Sequence, residues 1–97
     1  MTIQELFSDA SKWCKVYYAK DKEGRGTGPN VVDAVCWCLE GAIRKCYVRS
    51  EIQQVKEKLA VAAQQLFPKR RGSSIVFNDD PETTFEDVRK LVELADV

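Results

Sequence analysis

Four cysteines, Cys14, Cys36, Cys38 and Cys46, carry the most reactive side chains of a 97-residue chain that has no histidine. Without imidazole there is no Cys-His or Ser-His-Asp nucleophile pair, no histidine general base and no His-ligated metal. A zinc site built from sulfur alone needs two pairs at C-x2-C-type spacing. Cys36 and Cys38 are separated by one residue in a stretch that reads as helical, where residues two apart point away from each other. The same reading puts both thiols inside a helix, beyond the reach of the terminal dipole that lowers a thiol pKa. Reduced, buried thiols are the expectation, with no metal and no cofactor.

Carboxylates are the remaining route to acid–base chemistry. Glu40 lies in the mostly apolar run Ala34–Ala42; burial there raises a carboxyl pKa unless a partner offsets the desolvation. Arg44, four residues on, has the spacing and order for a helical ion pair. Asn78-Asp79 sits between an apolar segment and a later helix. In a cleft, Asp79 could serve as a general base; as a structural pair, the two side chains would cap or tie backbone groups. Glu40, Asn78 and Asp79 form the candidate polar cluster, and no residue is assigned a catalytic role.

Two segments could meet an anion. Lys69-Arg70-Arg71 is a basic turn within residues 43–71, which hold eight Lys/Arg against two acids. Residues 78–97 hold seven acids against Arg89 and Lys90. The basic stretch could touch phosphates, or the acidic tail could pack nearby and neutralise it. Gly24-Arg25-Gly26-Thr27-Gly28-Pro29-Asn30 precedes an expected helix start, but it lacks a P-loop ending and reads as a flexible connector.

The elements that must position these groups follow from apolar spacing. Ile3, Leu6, Phe7, Ala10, Trp13, Cys14 and Tyr17 predict a first helix over 2–18, with Thr2 and Glu5 as a capping box. Residues 20–30, with three glycines and a proline, predict a loop. Residues 31–48 are apolar on two faces and predict a buried central helix, with Gly41 allowing close approach of a crossing helix. A third helix is expected from near Ser50 to Pro68. Residues 74–77 predict a short extended segment or a single turn, and a last helix begins at Thr83 or Thr84. The expected architecture is all-α, a compact four-helix domain over residues 1–97.

The residues Trp37-Cys38-x-x-Gly41-Ala42, then Asn78-Asp79, then Thr83-Thr84-x-Glu86-Asp87-Val88, with Trp13 upstream, form a pattern. It resembles a family of small uncharacterised bacterial and phage proteins with a W-C-x-x-G-A … N-D … T-x-x-D-V signature. Phe77 stands where that family often has tryptophan. The resemblance implies a shared fold and no activity.

Net charge is zero, so no global basic field points to nucleic acid. The start of the chain lacks the pattern of a signal peptide. Val31–Ala42, broken by Asp33 and Glu40, is too short and polar to span a bilayer. The expectation is a cytoplasmic, non-enzymatic protein that binds another protein and no membrane. A nucleic-acid binder using residues 44–71, and a small enzyme or ligand binder at Glu40, Asn78 and Asp79, are the alternatives.

Overall fold

In a computed structural model the chain is described over residues 1–70 and 72–97. Its elements run α1 (Ile3–Leu6), a 3-10 turn (Ala10–Lys12), β1 (Ala19–Lys20), β2 (Gly26–Thr27), β3 (Cys36–Trp37), α2 (Leu39–Cys46), α3 (Arg49–Leu66), α4 (Ser74–Asp79) and α5 (Phe85–Ala95). The all-α, four-helix expectation is therefore overturned. The fold is mixed, with a small antiparallel sheet of order β2-β1-β3 beside the helices.

The sheet occupies the expected loop and displaces half of the expected central helix. Asp21 makes the hairpin: its Oδ1 accepts from the amides of Glu23 at 3.0 Å and Arg25 at 2.9 Å. Gly24, at φ 81°, supplies the left-handed turn residue. These contacts bring Ala19 opposite Thr27 and Lys20 opposite Gly26. On the other side of β1, Ala19 faces Trp37 and Lys20 faces Cys36. A parallel bridge from Trp13 to Trp37 adds the irregular segment after the 3-10 turn. The expected first helix thus ends at Leu6, because Ser8 and Asp9 start a new turn in which Asp9 caps the Ser11 amide.

The helix expected over 31–48 begins only at Leu39. Val31, Val32 and Val35 are β-branched, fit an extended or turn backbone, and follow Gly28-Pro29-Asn30. Helical spacing and two-residue alternation overlap in such a short run, and tertiary pairing with β1 decides between them. The segment over 74–77 is the start of a six-residue helix with Ser73 as its cap, not an extended piece.

The other helices lie where their periodicity puts them. α3 begins one residue before Ser50, with Val48 as the cap residue, whose amide donates to Glu51 Oε1 at 3.1 Å. Thr84 caps α5 and Asp87 reaches back to the Thr84 amide, a full capping box. Val55, Leu59 and Ala62 of α3, Val88, Leu91, Val92 and Ala95 of α5, and Leu39, Ala42 and Ile43 of α2 form the core, together with Ile3 and Leu6 of α1 and Phe7 just after it. Among the described residues no helix is long and apolar enough to cross a membrane.

Gly41 has a role the sequence hinted at, with a different partner. A Cβ there would overlap the Tyr18 carbonyl oxygen, so it is the hairpin approach, and not a crossing helix, that requires glycine.

Candidate functional site

The polar residues singled out from the sequence separate into two places. Asn78, at the end of α4, is fully buried. Its Oδ1 accepts from Trp13 Nε1 at 2.6 Å and from the Leu39 amide, the first of α2, at 2.9 Å. Its Nδ2 donates to the Cys14 carbonyl at 3.1 Å and to Asp79 Oδ1 at 3.0 Å. Donors converge on one end and acceptors on the other, which fixes the amide orientation. Asp79 Oδ1 also accepts from the Val16 amide at 2.8 Å. Val16 sits at φ 80°, strained for a β-branched residue, and this bond helps hold it there. The pair thus ties α4 to the start of α2 and to residues 13–16.

Glu40 lies elsewhere, in the first turn of α2, with only 3% of its surface exposed. Its Oε1 faces Lys56 Nζ of α3 at 2.8 Å and Arg44 Nη2 at 3.5 Å. Its Oε2 accepts from Ser74 Oγ at 3.4 Å. The carboxylate therefore has two cations on one oxygen and a single long hydrogen bond, among the described residues, on the other. Arg44 matches the spacing argument. Lys56 and Ser74 were not singled out, and no local signal could have found them, since each comes from a different element.

Glu40 lines a cleft of about 410 Å³ between α2, α3 and the start of α4. Leu39, Leu59, Ala63, Phe77 and Leu91 contribute apolar wall, and Gln53, Lys56, Glu57, Ser73 and Ser74 stand with Glu40 as polar groups. A cleft of a few hundred Å³ that sets apolar walls beside polar side chains has the make-up of a small-molecule pocket. Asn78 and Asp79 are not part of its lining, and Trp37 is not beside it.

Of the basic turn, Arg70 is committed to the protein itself. Arg70 donates to Thr83 Oγ1 at 3.0 Å and pairs with Asp87 Oδ2 at 3.3 Å, its guanidinium 4.9 Å from the Phe67 ring and 5.6 Å from the Phe77 ring. Burial alone would push the Asp87 carboxyl up; the Thr84 amide and Arg70 outweigh it and hold the group below its ordinary value. Lys69 is exposed, and Arg71 lies outside the described residues. The glycine-rich segment offers no helix start to an anion, since β2 runs through it and a turn follows.

The cysteines are also placed differently from the helical reading. Cys36 is in a strand and Cys38 is the cap of α2, its Sγ accepting from the Gly41 amide at 3.3 Å. In extended backbone, residues two apart point the same way. Burial, with a hydrogen bond to Cys36, pushes the Cys14 thiol up to about 12. Burial raises Cys46 to about 11, and it raises Cys38 against the opposing helix amides. Such thiols stay protonated at neutral pH and are poor nucleophiles. Among the described residues no group of three Cys, Asp or Glu is arranged to hold a metal ion.

A family model, described as a family of unknown function (DUF6197), matches residues 3–96. The chain belongs to this family. Its membership agrees with the resemblance to an uncharacterised family and brings no activity with it. No curated protein and no solved structure matches the chain. For this DUF6197 protein the chemistry therefore rests on its own geometry: an amide hub at Asn78, a guanidinium clamp at Arg70, and a cleft lined by Glu40.

Proposed function

We propose that this protein is a non-enzymatic interaction protein that docks another protein through the hairpin end of the molecule. The observation that carries the reading is a set of large side chains left in solvent there. Val16 is 73% exposed, Tyr17 49% and Tyr18 43%, and they line an open groove with Gly26 and Thr27. Val31, Val32 and Val35, in the turn between β2 and β3, are exposed as well. Clustered exposed apolar groups mark interaction surfaces more often than isolated ones do, and tyrosine is enriched at such surfaces.

The chemistry of the partner follows from the cations on the two rings. Lys20 Nζ lies 5.4 Å from the Tyr17 ring centroid and the Arg44 guanidinium carbon 4.9 Å from that of Tyr18. Each tyrosine therefore offers an apolar face beside a positive charge. A partner segment carrying apolar and acidic side chains fits both.

The test compares capture by wild type and by Tyr17→Asp, which is exposed and sets a like charge against an acidic partner. A protein retained after nuclease treatment and lost from the Tyr17→Asp variant, with far-UV circular dichroism unchanged, is the expected result. Equal capture by both proteins overturns the reading. The nucleic-acid alternative has less support, because Arg70 is held by Asp87, Thr83 and two aromatic rings. If the retained material disappears with nuclease, Lys69 and the rest of the basic surface take precedence.

A further inference from the structure

We infer that the Glu40 cleft is a binding site for a small, neutral aromatic molecule carrying one N–H donor. The inference does not rest on the hairpin docking surface: the two share no lining residue, although Arg44 touches both, pairing with Glu40 and standing over the Tyr18 ring.

Size and lining set the body of the ligand. About 410 Å³ walled by Leu39, Leu59, Ala63, Phe77 and Leu91 suits a flat apolar molecule of one or two rings.

Glu40 sets the head group. An ionised carboxylate has about four acceptor positions. Oε1 is taken by Lys56 and Arg44, whereas Oε2 has only the 3.4 Å contact to Ser74 among the described residues. Ser74 and Glu40 both line the cleft, so the contact to the under-used oxygen is part of its wall. A donor N–H from a ligand would complete that shell. A cationic ligand would have to compete with Lys56 and Arg44 for a charge they already balance. An anionic ligand would meet Glu40 and Glu57 in the same cleft. A neutral N–H donor avoids both costs, and a hydrogen bond to a buried carboxylate is among the stronger neutral-to-charged contacts.

The probe is indole, titrated into the isotopically labelled full chain and followed by amide chemical shifts. Three analogues accompany it: 1-methylindole, which lacks the donor; tryptamine, a cation; and indole-3-acetate, an anion. Saturable shifts at Leu59, Ala63, Ser74 and Phe77 are expected with indole, with binding about tenfold or more weaker for 1-methylindole. The charged analogues should bind more weakly than indole. Glu40→Gln should abolish most of the difference between indole and 1-methylindole. Because that change also releases Lys56, Ala60→Phe provides a second variant: Ala60 is exposed on α3 and lines the cleft, so the larger ring obstructs it without entering the core. Ala60→Phe should remove the shifts while the remaining spectrum is unchanged. Shifts that fail to saturate, equal binding of 1-methylindole, tighter binding of either charged analogue, or undiminished binding to Ala60→Phe would each overturn the inference.

Discussion

Asn78 uses both ends of its amide inside the protein, and each of its neighbours depends on it. Removing the side chain leaves Trp13 Nε1–H, the Leu39 amide and the Cys14 carbonyl without those partners. An orphaned buried polar group costs about 1–3 kcal/mol, and such losses are not simply additive. Asn78→Ala should therefore lower unfolding free energy by at least about 3 kcal/mol in urea titrations. Asn78→Asp keeps the acceptor but sets a carboxylate beside Asp79, and should recover little at neutral pH. A variant as stable as wild type would show that the amide hub is dispensable. Arg70 and Asp87 give a second test at this scale, in pH. The Asp87 carboxyl is held below its ordinary value in the folded chain. Its contribution is then fully present above the unfolded value, about 3.9, and is lost as pH falls through the lower folded value. Arg70→Met should cost about 1–3 kcal/mol at pH 7, with the difference from wild type shrinking below about pH 4. A difference that stays constant to pH 2 would mean that Arg70 acts through Thr83 and its stacking on Phe67 and Phe77, and not through Asp87.

Elements are where the fold was easiest and hardest to read. α3 and α5 are long and have one apolar stripe each; α5 uses the Thr84–Asp87 box, whereas α3 is capped at Val48 and not at Ser50. Local information suffices for such helices. The hairpin was not legible in that way. Its strands are two residues each, and β1 is chosen by partners on both sides, the nearer edge after a turn and the farther one at Cys36–Trp37. A run such as Val31–Trp37 fits helical spacing until that pairing is known. Of the candidate site, Glu40 and its Arg44 partner could be read from spacing, while Lys56 and Ser74 could not, because tertiary packing alone brings them in. The packing of the hairpin on α2 can be tested at Gly41. An added methyl would overlap the Tyr18 carbonyl oxygen, which is backbone and cannot rotate away. Overpacking of this kind costs typically about 1–3 kcal/mol and sometimes more. Alanine gains about 1 kcal/mol in helix propensity. The clash should win, so Gly41→Ala is expected to lower the thermal midpoint and to perturb the amide resonances of Tyr18 and Cys38. An unchanged or raised midpoint would place the hairpin farther from α2 than described.

At the scale of the whole molecule, charge and apolar surface are arranged separately. The last helix packs on the third one, with Arg70, in the turn after α3, reaching Asp87 at the start of α5. Exposed pairs such as Arg89 with Glu86 and Glu93 add little, since solvent screens them. The core therefore carries most of the stability, and it is small. Ile43 is wholly buried at the centre of α2, whereas Leu94 of α5 is about half exposed. Both lie on amphipathic helices, so their hydrophobicity alone does not distinguish them. Truncating a buried Ile to Ala costs about 2–5 kcal/mol, transfer and cavity together. A small domain holds only about 5–15 kcal/mol in total. Ile43→Ala should therefore depress the thermal midpoint by about 10 °C or more, while Leu94→Ala should shift it by no more than a few degrees. Differential scanning calorimetry on the two variants and wild type decides the matter. Comparable losses at both positions would mean that Leu94 is covered in solution, and would make the α5 surface, in place of the hairpin, the face to search for a partner.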